Sequence, residues 1–286
     1  ELIVNPCVEI GMWPVDEETG ETGWQACNLS TINCAKLKTE EDFFESCKAA
    51  SIIGTLQAGF TDFSYLGEVS ERIISREALL GVSMTGIMEN YEICLNPDIQ
   101  KKGAKIVKDE NKRIAKLIGI NRAARTTCIK PEGTSSCVLG TSSGIHPHHA
   151  KRYIRRVQAN KLEPIYNYFR EVNPRACEES VWSANDSDDV ISFCIEVPDG
   201  SKLKNKVSAI ELLKCVKSTQ QNWVISGKTE SLCTQAWLNH NVSNTINVKP
   251  EEWDEAESFI YKNRKYFCGV SLLPVSGDKD YPQAPF

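Results

Sequence analysis

The sequence predicts an α/β protein with largely parallel strands, and three observations carry that expectation. Short β-branched or small-residue stretches alternate with amphipathic stretches of ten or more residues, the rhythm of strand–helix–strand units. The chain has 286 residues, 41% apolar and 25% charged, enough to bury a sizeable core. No internal repeat, low-complexity segment or linker divides it, so one α/β unit is the simplest account.

The elements follow in order. Pro6 pushes Asn5 out of the helical region, so Asn5-Pro6-Cys7-Val8-Glu9-Ile10 reads as extended chain or a turn. A polar loop with turn chemistry covers 16–23, and 24–33 reads as a short strand. Thr39-Glu40-Glu41-Asp42 resembles a capping box. Phe43, Phe44, Cys47, Ala50, Ile53 and Leu56 then keep helical spacing to about Gly59. A second helix is expected over 70–80, ended by Gly81, and a buried strand over 81–88. A basic amphipathic helix fits 109–118, closed by Gly119, with a strand over 125–130. Strands are expected at 152–158 and 190–197, and a long helix at 208–226. Another strand fits 242–248, and Pro250 opens a helix with acidic residues in its first turn. The last strand is expected at 268–275, before a tail containing Gly and Pro.

Composition excludes several classes. A net charge of −5 does not suit a protein that binds DNA directly, which needs a basic surface to release counterions. No apolar run approaches the roughly 20 residues of a membrane span. None of the twelve cysteines forms a Cys-x-x-Cys pair, and three of the four histidines crowd into 146–149, so a metal site is not indicated. Many isolated cysteines fit a reducing cytoplasm, with most of them buried and inert. The chain opens on Glu1 without Met or signal peptide, as a piece of a longer protein would.

Three stretches carry chemistry. Period-2 geometry can send Asn5, Cys7 and Glu9 to one side, bringing an amide, a thiol and a carboxylate together. A cysteine among apolar residues is equally a small buried hydrophobe. In Lys130-Pro131-Glu132-Gly133-Thr134-Ser135-Ser136 a strand end runs into a turn whose N–H groups and hydroxyls could cradle phosphate oxygens. An ordinary strand–turn connection has the same composition, and neither a Walker loop nor G-x-G-x-x-G is present. Gly140 to His149 reads either as a cofactor-facing histidine cluster or as a tight Gly/Ser loop.

In combination these stretches resemble the catalytic chain of ribonucleotide reductase. Asn-Pro-Cys-x-Glu, Cys27-Asn28-Leu29-Ser30, Pro-x-Gly-Thr-x-Ser and Ser-Ser-Gly-Ile-His-Pro occur in that family's order. His240-Asn241-Val242-Ser243-Asn244-Thr245-Ile246 and Gly269-Val270-Ser271-Leu272-Leu273-Pro274 are similar to its last two barrel strands. The resemblance implies the C-terminal half of a ten-stranded α/β barrel, with residues 1–25 as the finger loop and following loop and 26–286 as the half-barrel. Its five strands would lie at Cys27, Val82, Thr126, Val242 and Val270.

The resemblance also implies roles. Cys7 would become a thiyl radical that removes the 3′ hydrogen of a ribonucleotide. Glu9 would be the base at the 3′ hydroxyl, and Asn5 would hold the sugar hydroxyls. Cys27 would be one half of the redox dithiol, its partner lying in the absent first half-barrel. Pro131, Glu132, Gly133, Thr134, Ser135 and Ser136 would hold the substrate phosphates. The last strand carries no Tyr-Tyr pair, and none of the eight tyrosines has a tyrosine neighbour, which favours the adenosylcobalamin branch over the oxygen-dependent one with its metal subunit. His146 is a candidate cofactor contact. The ending Tyr281-Pro282-Gln283-Ala284-Pro285-Phe286 resembles the monomeric enzymes that take ribonucleoside triphosphates. Implied partners are the ribonucleotide, the missing half-barrel, a thioredoxin-like or dithiol reductant, and deoxynucleotide effectors bound in the absent part. A non-catalytic nucleotide-binding half-barrel is the rival of another class, and the chain alone is expected not to turn over.

Overall fold

A computed structural model describes residues 2–275 and 285. The chain begins as a hairpin, β1 (Ile3–Val4) paired antiparallel with β2 (Gly11–Met12). β3 (Asn28–Asn33) leads to α1 (Glu40–Ala58), whose N-terminus is closed by the expected box between Thr39 and Asp42. α2 (Glu68–Glu77) ends at Ala78, which takes a left-handed φ of 43°, so Gly81 is not its stop signal. Gly81 lies inside β4 (Leu80–Thr85), where a Cβ would come within 2.5 Å of Leu29 Cδ2. The glycine there makes room for close packing.

After a single turn, α3 (Tyr91–Cys94), comes α4 (Pro97–Ile118), longer than the 109–118 expected. Asn96 caps the helix and Pro97 takes its first position, where no donor is needed. α5 (Gly133–Leu139) follows the 125–130 segment. Next come β5 (Arg152–Asn160), α6 (Pro164–Val172), β6 (Cys177–Glu179) and β7 (Asp188–Glu196). α7 (Ala209–Thr219) continues into a wider π turn over Gln220–Val224. β8 (Thr245–Val248), α8 (Trp253–Lys262) and β9 (Ser271–Pro274) complete the described order.

The parallel ladder runs β3, β4, the 125–130 segment, the 241–248 segment and β9. β3 and β4 pair in parallel from Asn28↔Leu80 to Asn33↔Thr85. Val82 bridges Thr127 and Ile129 bridges Val242, both in parallel, and β8 pairs in parallel with β9. These are the five positions the resemblance implied. β4 is buried along its whole length, which explains its run of small and apolar residues instead of alternation.

The outer face of the ladder is covered by α1, α4 and α7. Their Phe43, Val107 and Leu213 join Val82, Ile129 and Val242 in one core. Trp223, fully buried, packs 5.9 Å from Phe43 with the rings tilted by 49° and donates Nε1–H to the carbonyls of Val82 and Cys128. No helix among the described residues is long and apolar enough to cross a membrane.

Two expectations need correction. The strands at 152–158 and 190–197 exist, but they pair antiparallel with each other, Arg155 opposite Phe193, and form with β6 a three-stranded sheet outside the ladder. The cysteines are not mostly buried: Cys34, Cys47, Cys94 and Cys128 are, whereas Cys7, Cys137, Cys194 and Cys268 are exposed. Surplus cysteines therefore sit on the surface as free thiols, which a residue count does not reveal.

Candidate active site

The site begins with the tip of the opening hairpin. Val8 N–H donates to Asn5 O at 2.9 Å, closing a turn that puts Val8 at a φ of 61°. A β-branched residue in that region is strained, and such strain persists only where surrounding contacts over-determine it. The turn splits the three expected groups by environment. Cys7 is exposed, Glu9 is fully buried, and Asn5 Oδ1 accepts from Ile10 N–H at 3.0 Å, closing the turn on its far side.

The contacts that hold the tip come from 240–243. Asn241 N–H donates to Glu9 O at 2.8 Å and its Nδ2 to Val8 O at 3.0 Å. Ser243 Oγ donates to Cys7 O at 2.7 Å. His240 Nδ1 accepts from Gly11 N–H at 3.3 Å, while Nε2–H donates to Leu80 O at 3.0 Å. Burial, then the charge of Arg125, pushes His240 down to about 3, so the ring is neutral and works as a hydrogen-bonded clamp. Gly11 has no side chain because a Cβ would meet Asn239 O at 2.4 Å. The His-Asn-Val-Ser-Asn stretch was singled out for its resemblance; that it grips the hairpin emerges only in three dimensions.

Beneath the tip lies a charged cluster. Lys130 Nζ stands 3.4 Å from Glu9 Oε1. Burial alone would lower the ammonium, but Glu9 and Glu132 outweigh it and hold Lys130 above its ordinary value. Glu9 Oε2 is buried with no hydrogen-bond partner. Cys27, just before β3, shares this field: burial first, and then the negative charge of Glu9, pushes its thiol well above the usual range. It is therefore held as S–H, a hydrogen donor and not a thiolate.

The 131–136 stretch starts where the third strand ends. Glu132 has a φ of 52° and a buried carboxylate. Thr31 Oγ1 donates to its Oε1 at 2.7 Å and Ser135 Oγ donates to its Oε2. The Glu132 side chain thus ties the loop to β3 and faces inward, where a phosphate would be repelled. Gly133 and Thr134 stand exposed at the start of α5, Ser135 is half-buried and Ser136 is buried. Arg155 Nη2 reaches Gly133 O at 3.0 Å and Ser136 Oγ at 3.2 Å.

His146, the candidate cofactor contact, is engaged inside the fold. Its Nδ1 bonds Ser143 O at 2.9 Å and its Nε2 accepts from Thr245 N–H at 2.9 Å. Both nitrogens are used inside the fold, and burial lowers its proton affinity. It is a neutral brace between its loop and β8. Lys130, Asn241 and Ser243 all lie in stretches that stand out in sequence, but none has a role assignable from sequence alone. The signal for all three was present but needed the contacts to be read.

No family model matches the chain. The chain is similar over 98% of its length, at 24% identity, to the adenosylcobalamin-dependent ribonucleoside-triphosphate reductase of Lactobacillus leichmannii, of which it covers 38%. Similarity to the enzyme of that name from Lactobacillus acidophilus is 25%, covering 98% of this chain and 39% of that one. A probable adenosylcobalamin-dependent ribonucleoside-triphosphate reductase of Dictyostelium discoideum matches at 24%, over 99% of this chain and 34% of that one. A solved B12-dependent (class II) ribonucleotide reductase superposes with a TM-score of 0.71 at 19% identity, covering 99% of this chain and 40% of that one. The class Id ribonucleotide reductase alpha subunit of Actinobacillus ureae superposes at 0.52 and 15% identity, over 88% of this chain and 50% of that one. The chain spans under two-fifths of the length of these curated relatives. Along nearly all of its own length, then, it is similar to adenosylcobalamin-dependent ribonucleoside-triphosphate reductases, and it has the fold of part of a class II ribonucleotide reductase.

Proposed function

We propose that these residues form the radical-bearing half of a ribonucleotide reductase active site, with 1–25 as finger loop and following loop and 26–286 as the half-barrel. The observation that carries the reading is the pairing of an exposed Cys7 with a buried Glu9 whose Oε2 has no partner. A thiol presented at a tip can reach a sugar hydrogen, and an unpartnered carboxylate oxygen can take a hydroxyl proton.

The steps follow from these positions. The Cys7 thiyl takes the 3′ hydrogen of a ribonucleoside triphosphate and becomes S–H. Glu9 Oε2 takes the 3′ hydroxyl proton, with Lys130 holding the other oxygen in place. The 2′ hydroxyl takes a proton from one thiol of the Cys27 pair and leaves as water. Cys27 and a partner thiol of the other half-barrel supply two electrons and two hydrogens, becoming a disulfide. Cys7 then returns its hydrogen to the 3′ carbon, and Glu9 returns its proton to the 3′ oxygen. A thioredoxin-like or small dithiol would reduce the disulfide. The exposed Gly133 and Thr134, with the hydroxyls of Ser135 and Ser136 behind them, would hold the inner phosphates.

The residues fit a radical source delivered at the surface. Val8, next to Cys7 at the tip, is 38% exposed, and β9 carries no aromatic side chain that could relay a radical from a metal subunit. Adenosylcobalamin, when bound, would supply the radical that Cys7 needs. The test joins these residues to a first half-barrel and measures deoxyribonucleotide formed from a ribonucleoside triphosphate with a dithiol. Product is expected with adenosylcobalamin and none after Cys7→Ala. Turnover that survives Cys7→Ala would sink the mechanism, and turnover indifferent to cobalamin would sink the cofactor assignment.

A further inference from the structure

A cleft of about 770 Å³ opens beside the 131–136 loop, lined among others by Pro131, Tyr153, Arg155, Lys204, Asn247 and Lys249. It lies outside the carboxyl ends of the 125–130 strand, β8 and β9, where parallel α/β sheets collect their ligands. We infer that this cleft is a second phosphate subsite, continuous with the loop at Pro131, that takes the outer phosphate of a nucleoside triphosphate. The inference rests on the reading of 131–136 as the holder of the inner phosphates.

Charge is the first ground. Arg155 on β5, Lys204 before α7 and Lys249 after β8 bring three cations to one cleft from three separate segments. The carboxylate that lines it, Glu252, already accepts from Ala209 N–H at 3.2 Å and Lys249 N–H at 3.0 Å. Among the described residues, no carboxylate lies within ion-pair distance of Arg155 or Lys249. Arg155 also grips the loop itself, through Gly133 O and Ser136 Oγ, so cleft and loop share a residue.

An orphaned donor is the second ground. Asn247 lines the cleft, and its Nδ2 is buried behind the cleft wall without an acceptor. A buried N–H without a partner costs free energy that a ligand oxygen would recover. The N-terminus of α7 adds nothing, because Ala209 N–H and Glu211 N–H are already taken by Glu252 and Ser208. Side chains alone therefore define the subsite. Three cations suit a polyanion better than a singly charged phosphodiester.

The test uses the intact chain, titrated calorimetrically with inorganic pyrophosphate and with tripolyphosphate. Tripolyphosphate should bind about tenfold more tightly, the share of one or two charge-assisted hydrogen bonds. Lys249→Ala and Arg155→Ala should each remove most of that advantage, and Lys249→Ala should leave pyrophosphate binding in place. Gly133→Asp, which sets a carboxylate in open space at the loop mouth, should weaken both anions. Equal or absent binding of the two anions by the unaltered chain overturns the subsite. Tripolyphosphate binding indifferent to Lys249→Ala and Arg155→Ala overturns it while leaving the loop reading intact. Indifference to Gly133→Asp with the Lys249 effect preserved removes the loop reading and keeps the cleft. Displacement of tripolyphosphate by equimolar hydroxocobalamin, whose phosphodiester carries one charge, reassigns the cleft and overturns the proposal.

Discussion

Cys7 and Lys130 define opposite extremes of what a single residue does here. Cys7 is exposed and its thiol supports no packing, so Cys7→Ser should abolish product formation and shift stability by less than about 0.5 kcal/mol in thermal unfolding. Lys130 faces a fully buried carboxylate. Lys130→Met should cost on the order of 2–4 kcal/mol, because it strands Glu9 without a counter-charge. The pH window has a definite sign. Lys130 is held above its ordinary value, so its contribution is complete below about pH 10 and is lost as the pH rises past the folded value. Denaturant unfolding at pH 7 and pH 11 should show the gap between wild type and Lys130→Met closing; an unchanged gap would count against the pair. Asn5, Cys7 and Glu9 stand out as a candidate cluster in sequence because their pattern is local, but their separation into exposed and buried environments does not. Lys130 was not legible as part of it, since 121 residues separate it from Glu9. The engagement of both His146 ring nitrogens was not legible either, because a Gly/Ser loop looks the same in sequence whether or not they are bonded.

At the scale of elements, the hairpin is positioned by the segment that precedes β8. His240 is neutral in the fold with a value of about 3, below the ordinary 6.5 or so of an unfolded histidine. The unfolded chain therefore binds the proton first. Stability is complete above about pH 6.5 and falls on the way down, by up to about 1.4 kcal/mol per pH unit for this group. Unfolding followed from pH 7 to pH 5, above most carboxylate titrations, should show a steeper loss in wild type than in His240→Gln. Gly11→Ala presses a methyl group onto Asn239 O and Leu238 Cδ1, which lie 2.4 and 2.8 Å from the Cβ position. It should destabilise by roughly 1–3 kcal/mol and reduce turnover further than that loss explains, since the tip carrying Cys7 moves with the strand. Equal activity per folded molecule would argue against the hairpin's role. Helices and strands with strong local signals were legible, the Thr39 box above all. The antiparallel pairing of β5 with β7 was not, because pairing direction is chosen by contacts between distant segments.

Seen whole, the described ladder has two open edges: β3 pairs only with β4, and β9 only with β8. Open parallel edges are templates for pairing, so these 286 residues alone should associate with increasing concentration, measurable by sedimentation, and should form no deoxyribonucleotide. Activity from the isolated chain would refute the need for a second half-barrel. By itself the sequence determined the α/β class, the five strand positions and the local motifs, because each depends on neighbours within a few residues. Only the tertiary structure decided that Glu9 is buried against Lys130 while Cys7 stays exposed, that 240–243 clamps the hairpin, that His146 is a brace, and that three cations line the cleft beside the 131–136 loop. Those outcomes depend on burial and on contacts between segments a hundred or more residues apart, which local pattern does not encode.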